Sequence, residues 1–150
     1  MRILLDTNVL LDFLLAREPF ATDARAIWVA CEQGRCTGYA AAMSITTIWY
    51  IGRRQVGAVL ARQYIDTMLT VLQICAIDAT VLEAARLRSL ADFEDAVQTE
   101  AAIASGLELI VTRNGADFVG VPLPVLTPAE FLARLNQPTD MSPLPWRKDA

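Results

Sequence analysis

The chain has 150 residues, 54% of them hydrophobic and 20% charged, with a formal net charge of -4. That length supports one domain with a sizeable core, and the acidic balance argues against a protein that coats nucleic acid through bulk electrostatics. The complete lack of His excludes Ser-His-Asp and Cys-His sites, histidine-ligated zinc and imidazole general-base chemistry, which leaves carboxylates as the catalytic groups.

Ile3 to Asp6 reads as a short buried strand, and Thr7 opens a helix whose apolar positions Val9, Leu10, Phe13 and Leu14 keep helical spacing up to Arg17-Glu18-Pro19. Asp6 therefore falls where a strand's C-terminal end meets a helix N-terminus, the place where open α/β sheets carry chemistry. Only three apolar residues separate Met1-Arg2 from Asp6, which predicts no signal peptide, and Cys36 to Gly52 is too polar for a membrane span. The expectation is a soluble cytoplasmic protein. A second helix is predicted from Thr22 or Asp23 to Gly34, and a second strand over Thr37 to Ala41. Cys31, Cys36 and Cys75 form no zinc-like C-x-x-C pair; the odd count fits reduced buried thiols, although Cys31 and Cys36 could pair.

Ser44 is placed as the cap of a third helix over Ile45, Ile48, Trp49 and Ile51 to Arg53-Arg54, followed by a helix from about Val56 to Leu72. Gly52 and Gly57 mark a bend or break between them. Ile74 to Ile77 is the third strand, and Asp78 or Thr80 caps the helix over Val81, Leu82, Ala85 and Leu87. Asp92-Phe93-Glu94-Asp95 opens the next helix, which stops at Gly106. Leu107 to Thr112 and Val125-Leu126 are strands four and five; Thr127, Pro128 and Glu130 then start a last helix ending near Leu135. A domain over residues 1–136 is expected, with a proline-bearing mobile tail at 137–150. Short apolar strands alternating with helices predict a mostly parallel five-stranded sheet covered on both faces, with Asp6, Asp95 and the residues around Thr112 gathered at one edge.

Phosphodiester hydrolysis needs an activated water and neutralised phosphoryl oxygens, and carboxylate-held Mg²⁺ or Mn²⁺ supplies both. Asp6, Asp95 and Asp117 stand at element boundaries and are the candidate ligands. The plainer roles are specific too. Asp92 reads as an N-cap with Asp95 either its capping-box partner or a site residue, Asp117 either a ligand or a turn residue after Asn114-Gly115, and Asp12 as structural. Arg53 and Arg54 are candidate phosphate contacts, Arg54 alternatively a helix C-terminal charge complementing the dipole, with Arg17 and Arg113 expected near the pocket, while Trp49 or Tyr50 either stacks a base or fills core or interface.

Three segments, residues 4–12 (LLDTNVLLD), 92–98 (DFEDAVQ) and 111–118 (VTRNGADF), resemble the best-marked segments of PIN-domain proteins of the VapC-like toxin type, in the expected order and over residues 2–135. The resemblance implies a three-layer α/β/α sandwich and a Mg²⁺- or Mn²⁺-dependent endoribonuclease leaving a 5′-phosphate. It further implies an RNA substrate, a small antitoxin partner and a homodimer. Asp6 matches the family's first acidic ligand and Asp95 its third; the fourth falls on Asp117 or Asn114, with Thr112 a hydroxyl that orients water or metal. Where the family carries a Glu after a Ser on the helix following strand two, this chain has Ser44 and then Thr47, a weaker ligand, and Glu94 or Asp92 is the candidate to compensate.

The alternative is a catalytically weakened PIN-like module that binds RNA or protein. An aspartyl-phosphate enzyme is disfavoured because Asn8 occupies the position of its second acid and the only lysine is Lys148; no glycine-rich nucleotide loop is present. Residues Ser44 to Leu72 are where a dimer or antitoxin surface is expected.

Overall fold

The structure is a computed structural model that describes residues 1–137; the tail expected at 137–150 lies, apart from Gln137, outside the described residues. Strand β1 (Arg2–Leu5) is central, flanked by β2 (Thr37–Ala41) and β4 (Leu109–Val111). Beyond them lie β3 (Gln73–Cys75) and β5 (Val125–Leu126), giving the order β3-β2-β1-β4-β5 with every pairing parallel. Registers such as Leu4 opposite Tyr39 and Ile110, and Leu5 opposite Val111, carry the strands in step to one C-terminal edge.

Seven α-helices complete the described part: α1 (Thr7–Leu14), α2 (Ala21–Glu32), α3 (Ala42–Val56), α4 (Ala58–Val71), α5 (Ala79–Arg86), α6 (Phe93–Ala104) and α7 (Pro128–Leu135). Because successive strand residues point to opposite faces, Ile3 and Leu5 join one core and Leu4 the other. The first core combines Leu109 and Val111 with Leu10, Ile27, Trp28, Ile48, Met68 and Phe131 from the helices on that side. The second packs Leu4 and Ile110 against Val81 and Ala85 of α5 and Ala96, Val97, Ala101 and Ala102 of α6. Apolar residues on both faces of the central strands make the α/β/α sandwich obligatory, since either bare face would leave a buried-type surface in water.

Several boundaries differ from the sequence expectation. Helix α3 starts at Ala42, so Ser44 lies inside its first turn; its buried hydroxyl bonds Thr7 Oγ1 at 2.7 Å and does not cap. Helix α2 starts at Ala21 without a side-chain cap, β3 is one residue earlier and shorter than predicted, and β4 covers only Leu109–Val111. The break between α3 and α4 is at Gly57, which adopts φ +86°, a conformation that favours Gly. Gly52 instead continues α3 and faces Ala61 of α4: a Cβ built there would meet the Ala61 Cβ at 3.5 Å. Asp78, and not Thr80, caps α5 through Val81 N–H. The Cys31 and Cys36 thiols are free and lie 3.6 Å apart, both buried.

Candidate functional site

In this strand order the chain winds outward from β1 through β2 to β3 and returns through β4, so the switch point lies between β1 and β4, where open parallel sheets leave a crevice beyond the strand ends. Asp6 follows β1 directly, and its backbone N–H donates to the Val111 carbonyl at 3.0 Å, which stitches it to the end of β4. Its side chain is buried. Asp6 Oδ2 accepts from Thr112 Oγ1 at 2.8 Å and Oδ1 from Gln98 Nε2 at 3.1 Å. Burial raises the Asp6 carboxyl above its ordinary value, and the bonds from Thr112 and Gln98 oppose that rise without cancelling it.

A cavity of about 250 Å³ opens over Asp6. Asn8 and Leu11 of α1, Thr47 and Ile51 of α3, Asp92, Glu94, Asp95 and Gln98 at the start of α6, and Asn114 and Asp117 beyond β4 line it. A larger cavity of about 420 Å³ between α5, α6 and the Val119-Gly120 turn holds the Arg88–Glu100 ion pair and no gathering of carboxylates, so size does not select the site.

The start of α6 concentrates the charge. Asp92 is the N-cap, accepting from Glu94 N–H at 2.8 Å and Asp95 N–H at 3.4 Å. It thereby leaves the Asp95 side chain free to line the pocket. Gln98 stands i+4 from Glu94 and i+3 from Asp95, so it neighbours both on the helix surface, and all three line the pocket. Desolvation pushes the Asp95 carboxyl up to about 7, reinforced by the negative charges of Asp92, Asp6, Asp117 and Glu94. Burial and then Asp92 and Asp6 also raise Glu94. Asp117 is held by a 3₁₀ turn over Gly115–Phe118, anchored by buried Phe118 and by its own N–H donating to the Asn114 carbonyl at 3.0 Å. Thr112 completes the loop, accepting from Asn114 N–H at 3.1 Å while donating to Asp6.

Asp6, Asp95, Asp117, Asn114 and Thr47 thus meet at one pocket, with Thr112 directly behind Asp6. Thr47 brings only a neutral hydroxyl, which donates to the Met43 carbonyl of its own helix at 3.3 Å. Arg53 and Arg54 do not line the cavity; they lie at the end of α3 with their guanidinium groups over the Tyr50 ring, at 5.3 and 5.8 Å. Thr47, Ile51 and Arg54 follow an i, i+4, i+7 spacing, so Arg54 continues the pocket-lining stripe about 4.5 Å beyond Ile51 along the helix axis. Arg113 and Arg17 are engaged elsewhere. Arg113 donates to buried Asp12 at 2.8 Å and covers the Phe20 ring at 4.2 Å, while Arg17 lies 3.9 Å from the same carboxylate. Asp12 is therefore structural, tying α1 to the loop that carries Asn114.

Sequence reasoning missed Gln98, although an amide one helical turn beyond Glu94 and Asp95, between the Ala96-Val97 and Ala101-Ala102 pairs, is a usable signal. It is almost wholly buried, and its Oε1 has no hydrogen-bond partner. An orphaned acceptor beside mutually repelling carboxylates offers oxygen ligands only, the chemistry that a hard cation would fit. Among the described residues no three Asp, Glu or Cys side chains stand close enough together to hold a metal ion by themselves.

A pH dependence follows from Asp95. A carboxyl raised from 3.8 to about 7 on folding lets the folded state hold a proton that the unfolded state has released. Its contribution to stability is complete below about pH 4 and is lost as pH rises through 7. In a chelator, Asp95→Asn is expected to raise the melting temperature over wild type at pH 8 by about 2–4 °C, the equivalent of roughly 1 kcal/mol after solvent screening, and not at pH 4.5. Equal melting shifts at both values would refute the charge-repulsion account.

Residues 2–116 match the family model described as PIN domain. No curated protein matches the chain. Among solved structures, the chain is similar to VapBC2 from Rickettsia felis bound to a promoter DNA fragment, at 17% identity and TM-score 0.64 over 85% of this chain and 98% of that one. It is similar to Mycobacterium tuberculosis VapC20, described as a sarcin-ricin loop cleaving toxin, at 16% identity and TM-score 0.64 over 79% and 95%. A toxin-antitoxin complex from Klebsiella pneumoniae matches at 24% identity and TM-score 0.63 over 84% and 97%. At these identities the likeness is one of fold.

Proposed function

Because the chain belongs to the PIN-domain family, we propose that it is a metal-dependent endoribonuclease acting as the toxin of a toxin-antitoxin pair. The observation that carries this reading is the meeting of Asp6, Asp95 and Asp117 at one pocket on the switch-point edge of the sheet, with Asp95 pushed up to about 7 by burial and, after it, by its acidic neighbours. In this reading those three residues hold Mg²⁺ or Mn²⁺. The cation, when bound, neutralises phosphoryl charge and lowers the pKa of a water. Thr112 and Gln98 fix the Asp6 carboxylate from both sides, so it meets the cation without a rotamer search, and Asn114 lies where the Thr112 hydroxyl holds its backbone. Arg54 and Arg53 neutralise phosphates flanking the scissile bond, and Tyr50, already beneath their guanidinium groups, offers a face for a base.

One of the similar structures is described as a toxin-antitoxin complex and another as a sarcin-ricin loop cleaving toxin, which supports the toxin role and an antitoxin partner. Exposed Tyr50, Val59, Leu60 and Leu69 on α3 and α4 support a protein interface there, for a second copy or the antitoxin. No described helix is long and apolar enough to cross a membrane, and an RNA substrate fits a cytoplasmic site of action.

The test is cleavage of single-stranded RNA with Mg²⁺ or Mn²⁺, arrested by chelator and accompanied by growth arrest on expression. No cleavage at millimolar metal would leave the second reading, a PIN-like RNA-binding or protein-interaction module, which Thr47 in place of a carboxylate favours. Arg53→Ala and Arg54→Ala are each expected to raise KM a few-fold and to reduce the slope of log affinity against log salt by about 1, with kcat nearly unchanged. An unaltered salt slope would place the RNA elsewhere.

A further inference from the structure

We infer that Glu94 on α6 supplies the metal-binding carboxylate that the facing helix α3 lacks, and that the Thr7–Ser44 hydroxyl pair positions it. The inference rests on the metal-dependent reading above. On the α3 wall of the pocket stand only Thr47 and Ile51, so no charge from that helix faces Asp6. Glu94 lines the opposite wall. Its Oε1 accepts from Thr7 Oγ1 at 3.5 Å, at the outer limit of a hydrogen bond, and Thr7 Oγ1 lies 2.7 Å from Ser44 Oγ. With the Thr7 proton directed at Glu94, Ser44 donates to Thr7, and the relay runs from α3 through α1 to the α6 carboxylate. Both hydroxyls are buried, so water does not compete for them.

A second observation points the same way. Gln98, one helical turn beyond Glu94 on the same face, is buried at 1% exposure, lines the pocket, binds Asp6 through Nε2 and leaves Oε1 without a partner. An amide oxygen in the pocket that Asp6 and Glu94 also line adds to an oxygen donor set drawn from the end of β1, α6 and the loop after β4, with α3 contributing only the Ser44 end of the relay.

Isothermal titration of the full chain with Mn²⁺ tests this apart from activity. Glu94→Gln is expected to weaken binding roughly tenfold or more, Ser44→Ala to weaken it several-fold, and Thr47→Glu added to Glu94→Gln to restore it to within about threefold of wild type. Glu83→Gln, an exposed α5 position paired with Arg86, serves as the control and is expected to bind as wild type does. Wild-type affinity in Glu94→Gln, with binding lost in Asp95→Asn, would overturn this inference and leave the nuclease reading standing. Loss in Glu94→Gln that Thr47→Glu fails to restore would overturn the exchange of the carboxylate between α3 and α6. No Mn²⁺ binding by the wild type would overturn the nuclease reading and this inference with it.

Discussion

Asp6→Asn is expected to lower Mn²⁺-dependent RNA cleavage roughly 10²–10³-fold, the range seen when one preorganised electrostatic group is removed from a reaction centre. The substitution is nearly isosteric. The Thr112 hydroxyl can rotate to accept from an Asn amide, so far-ultraviolet circular dichroism should be unchanged and the metal-free melting temperature should not fall by more than about 2 °C. Burial already raises the Asp6 carboxyl, so neutralising it relieves a desolvation cost in the absence of a cation. Lost activity with retained fold is the signature of a ligand; undiminished cleavage would sink the assignment of the whole pocket.

The largest stability effect is expected at Asp12. Its carboxylate is buried and accepts from Arg113 at 2.8 Å, with Arg17 3.9 Å away. Asp12→Ala leaves the half-buried Arg113 without its partner and should cost about 3 kcal/mol, or roughly 6–12 °C in melting temperature. Replacing both partners, as in Asp12→Leu with Arg113→Met, should recover much of the loss, because removing both charges also removes the desolvation penalty. A single-mutant loss below about 1 kcal/mol would show that the pair is solvated in the folded protein. Because Arg113 precedes Asn114, the single variant should also raise the metal requirement for cleavage, whereas the double variant tests whether packing alone keeps that loop in place.

Most of the fold was legible in local pattern. The strands around Ile3, Thr37 and Leu109 and the caps at Asp92 and Thr127 each depend on residues within a few positions of one another, where propensity and hydrogen-bonding geometry act directly, whereas the choices of Asp78 over Thr80 as cap and of Gly57 over Gly52 as break came only with the structure. Ser44 was misread for the same reason. A Ser before an apolar helical run has the local character of a cap, but Thr7, 37 residues away in sequence, offers its hydroxyl a buried partner.

The identity and order of Asp6, Asp95 and Asp117 can be read along the chain, because carboxylates at the ends of apolar elements are conspicuous there and the segments around them carry the family resemblance. Their distances, the raised Asp95 carboxyl, the engagement of Arg113 by Asp12 and the appearance of Gln98 at the pocket could not be read that way. Each is a relation between residues on different strands and helices, brought together when the parallel sheet aligns β1 with β4 and stacks α6 against them. Charge repulsion and desolvation depend on those through-space distances, and a linear pattern carries no information about them beyond the next helical turn.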